Sequence, residues 1–101
     1  MKKYYKGISI LEIEPKRSDI EIIDIRRPLE IKIFSLEGIR AIPMGELLSS
    51  PGKYLKKDTT YYLLCRTGRR TTMMTVYLRK MGYDAVNLEG GIKALYPEAD
   101  L

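Results

Sequence analysis

Short apolar runs alternate along the chain with stretches of helical period, and this alternation predicts its architecture. Glu21-Ile22-Ile23-Asp24-Ile25 reads as a buried strand, and Arg26-Arg27-Pro28 after it suits a helix start, because proline in the first turn gives up only an N–H that has no helical partner. That helix is expected to run through Phe34. A brief strand is expected at Ala41-Ile42, ended by Pro43, which has no N–H for a ladder. Gly45 to Leu48 can form one or two helical turns before Ser50-Pro51-Gly52 breaks them.

Thr59-Thr60-Tyr61-Tyr62-Leu63-Leu64, rich in β-branched and aromatic residues, reads as a central strand ending at Cys65. The period then changes. Met74, Tyr77, Leu78 and Met81 recur at helical spacing, and Gly82 sits where a helix end favours a left-handed residue. A last strand, Ala85-Val86-Asn87-Leu88, leads through Glu89-Gly90-Gly91 into a short helix from Ile92 to about Tyr96, stopped by Pro97. Strands alternating with helices imply an α/β fold whose mainly parallel sheet is covered on both faces. Ligands of such sheets bind beyond the carboxyl ends of the strands, where Cys65 falls.

With 101 residues, and no repeat or linker, residues 1–101 are expected to form a single domain. A hydrophobic fraction of 45% beside 31% charged residues is that of a soluble globular protein. No stretch approaches the roughly 20 apolar residues of a membrane span, so no membrane partner is expected. The basic start Met1-Lys2-Lys3-Tyr4-Tyr5-Lys6-Gly7 lacks the apolar region and cleavage site of a secretory signal, which points to the cytoplasm. A lone cysteine forms no internal disulfide and fits a reducing compartment.

The absences narrow the chemistry. There is no histidine, and only Cys65 can supply a thiolate. Zinc sites of the Cys/His kind, Cys-His and Ser-His nucleophile pairs and Cys-x-x-Cys redox pairs are therefore excluded, and neither a metal nor a cofactor is expected. The net charge of +5 suggests an anionic partner. From Thr59 to Tyr83 there is no Asp or Glu, while Arg66, Arg69, Arg70, Arg79 and Lys80 fall inside that window. Arg79 and Lys80, late in a helix, read as a solvated face that suits the helix dipole.

Leu64-Cys65-Arg66-Thr67-Gly68-Arg69-Arg70-Thr71 combines a strand end, a tight loop with one glycine, and a helix start. Backbone N–H groups of such a loop and first helical turn lack partners and converge on an anion. A cysteine at its start feels that field and the arginines, which favours the thiolate below the roughly 8.5 of a free thiol. A cysteine after Leu63-Leu64 could equally be a buried core thiol. Three arginines within five residues argue against that, because burying them there would be costly.

Cys65-Arg66-Thr67-Gly68-Arg69-Arg70-Thr71 resembles the active-site loop of the rhodanese-like family, Cys-Arg-x-Gly-x-Arg-Ser/Thr. The resemblance extends to Ile23-Asp24-Ile25-Arg26 with Pro28, and to Gly82-Tyr83 with Asn87-Leu88-Glu89-Gly90-Gly91-Ile92, so that it spans roughly Ile8 to Tyr96. It implies a three-layer α/β/α fold around a sheet of about five strands. It also implies sulfurtransferase activity, in which Cys65 takes sulfur from thiosulfate or a similar small anionic donor as a persulfide and passes it to cyanide or a thiol; a protein donor or acceptor is compatible with it. The segment from Arg66 to Thr71 is the implied donor-binding stretch. Within it Arg66 and Arg70 are expected to contact the donor anion, Arg69 faces donor or solvent equally well, and Gly68 serves backbone shape. The hydroxyls of Thr67 and Thr71 by default satisfy nearby backbone groups. Asp24 and Arg26 are expected to form a supporting ion pair.

The chain departs from the family pattern at Phe34-Ser35-Leu36-Glu37-Gly38-Ile39, where Ser35 replaces the usual histidine, and at Leu95, where tryptophan is common. Met73 and Met74, bulkier than usual at the helix start, are read as packing. Relatives of this fold that act as phosphatases or arsenate reductases use a Cys-x5-Arg loop, whereas Cys65 to Arg70 is Cys-x4-Arg. A non-catalytic binding module of the family would commonly lack the cysteine. A sequence pI of about 9.4 suggests nucleic-acid binding, but Tyr61, Tyr62 and Tyr77 read as core and no nucleic-acid motif accompanies them.

Overall fold

The computed structural model describes residues 4–14 and 20–100; Met1, Lys2 and Lys3 of the basic start lie outside them. The elements in chain order are β1 (Gly7–Ser9), a 3-10 turn (Ile10–Glu12), β2 (Glu21–Asp24), α1 (Pro28–Ile33), β3 (Arg40–Ala41), α2 (Met44–Ser49), α3 (Pro51–Tyr54), β4 (Thr60–Leu64), α4 (Arg69–Lys80), β5 (Asp84–Glu89) and α5 (Gly91–Leu95). The five strands form one parallel sheet in the order β1-β5-β4-β2-β3. The register sets Ile23 of β2 beside Leu63 of β4, and Leu63 beside Asn87 of β5.

Period-two alternation divides the core between the faces. Ile23, Ile25, Tyr61, Leu63 and Cys65 turn to one side and pack with Leu47 of α2, Leu55, and Met74 and Leu78 of α4. Ile22, Leu64 and Leu88 turn to the other and meet Ile10 and Ile92. Ile10, Ile23, Leu47, Leu63, Leu64, Leu78 and Leu88 are fully buried, and each such side chain is worth about 1.5–3 kcal/mol of burial. With helices on both faces, the architecture is the three-layer α/β/α arrangement, and its sheet has five strands.

Local chemistry accounts for where the elements begin and end. The edge strand β1 is only three residues long, too short for a period to register, and it is held by pairing Gly7 with Asn87. As expected, α2 stops at Ser49, ahead of Pro51, and Pro51 then opens the separate helix α3 from its first position, with Leu55 N–H donating back to its carbonyl at 2.8 Å. Gly82 terminates α4 at φ 95°, with Tyr83 N–H reaching Leu78 O at 3.1 Å and Gly82 N–H reaching Arg79 O at 3.0 Å. Two residues assigned to packing are not packed. Met73 is 77% exposed and Tyr77 52% exposed, because α4 buries the stripe of Thr71, Met74, Thr75 and Leu78 and leaves its flank to solvent.

Thr75 lies in that stripe, fully buried, and its hydroxyl has no hydrogen-bond partner. An unpaired buried hydroxyl costs about 1–3 kcal/mol, and valine fills nearly the same space without it. Thr75→Val is therefore expected to stabilise the fold by about 1 kcal/mol, read as a rise of several degrees in Tm. A fall in Tm would show that the hydroxyl finds a partner in solution.

Candidate active site

β4 delivers Cys65 to the carboxyl edge of the sheet, and the chain turns within three residues into α4. Gly68 makes this turn possible. It caps the helix at φ 93°, and a Cβ there would lie 3.2 Å from Gly90 N. The carbonyls of the loop face outward: Ile92 N–H donates to Cys65 O at 3.1 Å and Lys93 N–H donates to Arg66 O at 2.9 Å. This docking of α5 demands a glycine at position 91, where φ is 61° and a Cβ would meet Arg66 O at 2.5 Å.

On its inner side the loop turns N–H groups toward the sulfur. Gly68 N–H donates to Cys65 Sγ at 3.1 Å, and Thr71 Oγ1 lies 3.4 Å from the same atom. Cys65 is only 1% exposed. Burial pushes its thiol pKa up, and against this the Thr71 hydroxyl and the backbone N–H groups of Thr71, Gly68 and Thr67 hold it below its ordinary value. The groups that favour the thiolate are thus hydrogen-bond donors of the loop and first helical turn, where the sequence suggested the arginines as well.

The charged residues are paired around this centre. Arg70 gives Nη1 and Nη2 to the two carboxylate oxygens of Glu30 at 2.8 and 3.0 Å, so its fork is engaged with α1 and acts on Cys65 as a nearby charge. Arg26 grips Asp24 through Nε at 3.0 and 3.1 Å and Nη2 at 2.8 Å, both side chains being buried, and Nη2 also donates to Phe34 O at 2.8 Å. Arg66 and Arg69 are exposed. Arg66 lines a cavity of about 150 Å³ together with Arg26, Glu30, Ile33, Phe34 and Ile92. Thr67 is half-buried at the rim of a shallow hollow beside Arg69, while Thr71 is fully buried.

Two residues of the site had no role in the sequence reading. Glu30 is 40 positions from Arg70, and only folding brings them together. Asn87 is 1% exposed in the middle of β5, where a polar residue inside an apolar run is a usable signal. It accepts from Thr71 Oγ1 and donates to Thr72 Oγ1 at 2.9 Å. Ser35 and Leu95 line a separate cavity of about 470 Å³ with Phe34, Leu36 and Tyr96. Among the described residues, no group of three or more His, Cys, Asp or Glu is placed to hold a metal ion, and no helix is long and apolar enough to cross a membrane.

A cysteine held by inward N–H groups between a parallel strand and its following helix defines an α/β protein built to stabilise a sulfur anion. Residues 10–98 match the family described as Rhodanese-like domain, and the chain belongs to that family. It is 38% identical over 77 residues to the probable adenylyltransferase/sulfurtransferase MoeZ of Mycobacterium tuberculosis, covering 74% of this chain but only 20% of that protein. The putative sulfurtransferase YtwF of Bacillus subtilis is 33% identical over 78 residues, 75% of this chain and 73% of that one. The crystal structure of SSP1007 from Staphylococcus saprophyticus superposes with a TM-score of 0.80 at 29% identity, covering 93% of this chain and 96% of that one. The chain thus spans about a fifth of the mycobacterial relative and most of the other two. These likenesses support sulfur transfer in general.

The Glu30–Arg70 pair makes a pH prediction. The Arg70 hydrogen bonds hold the Glu30 carboxyl down to about 2, against an ordinary 4.5. A carboxyl depressed in the folded state stabilises it fully above the unfolded value and loses that stabilisation as pH falls through the folded value. Glu30→Gln should therefore be less stable than wild type by roughly 1–3 kcal/mol at neutral pH, with the gap closing between about 4.5 and 2. Urea unfolding across pH checks this. A gap that does not vary with pH would contradict it.

Proposed function

We propose that the protein is a sulfurtransferase that carries sulfane sulfur on Cys65, taking it from thiosulfate or a similar small anion and giving it to cyanide or a thiol. The supporting observation is the sulfur cradle itself, with Gly68 N–H at 3.1 Å from Sγ and the Thr71 hydroxyl at 3.4 Å. In the first step the thiolate attacks the outer sulfur of thiosulfate. The donor's S–S bond breaks, its electron pair leaves on sulfite, and a new S–S bond forms at Cys65 with the negative charge on the terminal sulfur. Cyanide then attacks that terminal sulfur, thiocyanate departs, and the thiolate returns. Neither step transfers a proton, which accords with a chain that contains no histidine.

Loop N–H groups aimed at developing charge need no reorganisation during reaction. The cavity beside Arg66, about 150 Å³, has room for a small molecule, with Arg26 and Arg66 on its wall beside the carboxylates of Glu30 and Asp100. We assign the donor's oxyanion end to Arg66 because it is the loop arginine that lines this cavity.

Phosphoryl transfer is the weaker reading. It needs a loop that surrounds three oxygens and a general acid for most leaving groups. The loop is Cys-x4-Arg, one residue shorter than the phosphatase form. The carboxyl nearest the loop arginine is Glu30, held ionised down to about 2 and so a poor proton donor.

Steady-state assays test the proposal. Wild type should form thiocyanate from thiosulfate and cyanide, and Cys65→Ser should form none. Arg66→Ala should lower kcat/KM about 10- to 100-fold, the loss of one charged hydrogen bond, with little change in Tm. Efficient hydrolysis of p-nitrophenyl phosphate through Cys65, without thiocyanate formation, would put the phosphatase reading first.

A further inference from the structure

Counting hydrogens behind the loop assigns a role to a residue that does not touch the sulfur. The Tyr5 hydroxyl donates to the Glu89 carboxylate, and burial followed by that bond pushes the phenol pKa up, so its proton stays in place. The Thr72 hydroxyl donates to Gly68 O at 2.7 Å. Both oxygens have spent their single hydrogen and serve the Asn87 amide as acceptors, at 3.3 Å for Tyr5 Oη and 2.9 Å for Thr72 Oγ1. Asn87 Nδ2 is therefore fixed toward them, and a third, longer contact to Gly68 O at 3.4 Å agrees with that orientation. Its Oδ1, an obligate acceptor, is left facing Thr71 Oγ1.

Thr71 has one hydroxyl hydrogen and two claimants for it. When that hydrogen goes to Asn87, Thr71 Oγ1 toward Cys65 is an acceptor, which suits a thiol S–H. When Cys65 is a thiolate, the hydrogen is wanted at Sγ, and Asn87 Oδ1 is stranded in a buried site. A persulfide restores the first arrangement, because its inner sulfur is neutral and needs no donor.

We propose that Asn87 is a positioning residue that sets the direction of the Thr71 hydroxyl hydrogen, holding it away from Cys65 in the thiol and persulfide forms and releasing it only to the thiolate. Asn87 thereby restrains the free thiolate and favours the sulfur-loaded protein. The claim about the thiolate needs only the geometry; the claim about the loaded form rests on the sulfurtransferase reading.

The test reads the pH profile of Cys65 alkylation by iodoacetamide, which reports the thiolate directly and is unambiguous with one cysteine. The charged groups around the thiol are Arg66, Arg69 and Arg70 of the loop and α4, Glu30 of α1 behind Arg70, Asp24 and Arg26 at the end of β2, and Asp100 on the nearby cavity, with Tyr5 and Glu89 at the far end of the network. The substitutions alter none of them. Asn87→Leu, which keeps the shape and removes the acceptor, should lower the alkylation midpoint by about half to one pH unit. Asn87→Ala should shift it the same way, and Thr71→Val should raise it. In a Thr71→Val background Asn87→Leu should have no further effect, since the shared hydrogen is gone. An unchanged or raised midpoint in both Asn87 variants, or an equal shift with Thr71 absent, would overturn the proposal. Because alkylation needs no sulfur donor, a lowered midpoint in a protein that fails to form thiocyanate would refute the proposed function and leave this inference standing.

Discussion

The outward turn of two peptide carbonyls, Cys65 O and Arg66 O, governs the rest of the site. A trans peptide group is a fixed dipole with C=O and the next N–H opposed, so turning Cys65 O and Arg66 O out turns the N–H groups of Arg66 and Thr67 in. Thr67 N–H is one of the donors that favour the thiolate. Here the outward carbonyls are held by the first N–H groups of α5, those of Ile92 and Lys93. The helix can approach closely enough only because Gly91 has no Cβ to strike Arg66 O. The C-terminal strand and helix are thus as much a part of the active site as the cysteine loop.

Electrostatics then acts at two ranges. Close to the sulfur, donors of the loop and first helical turn outweigh the burial that would otherwise favour a neutral thiol. Further out, the arginines are largely committed to carboxylates: Arg26 to Asp24, Arg70 to Glu30. The Asp24–Arg26 pair is fully desolvated, and such pairs fix geometry more reliably than they add stability, because desolvation cancels much of the attraction. Arg26 reaches on to Phe34 O and so ties the end of α1 to the end of β2. The Glu30–Arg70 pair joins the start of α1 to the start of α4 in the same way. These bonds tether α1 beside the loop and give the cavity next to Arg66 its wall.

The sheet and its helices were legible in the sequence because buried parallel strands and amphipathic helices impose strong periods. Leu63, Cys65, Leu78 and Leu88 fall where those periods place them. The edge strand Gly7–Ser9 was not, since three residues carry no period. The helix break at Ser50-Pro51 was legible while the one-turn helix that Pro51 begins was not, since four residues are too few for a helical period. The cysteine loop was legible as a motif, but not the partners of its arginines. Glu30 and Asn87 reach the site through tertiary contacts across 40 and 16 positions, and nothing local in the chain encodes those distances. Met73 and Tyr77 are hydrophobic yet exposed, because apolar character in the chain does not by itself fix which flank of a helix is buried.

The central claim is that this backbone cradle makes Cys65 a carrier of one sulfur atom, and intact-mass spectrometry of the protein after incubation with thiosulfate tests it most directly. The account predicts a gain of a single sulfur atom located at Cys65, lost again on adding cyanide and absent from Cys65→Ser. An unchanged mass in the wild type, or an equal gain in the serine variant, would contradict it.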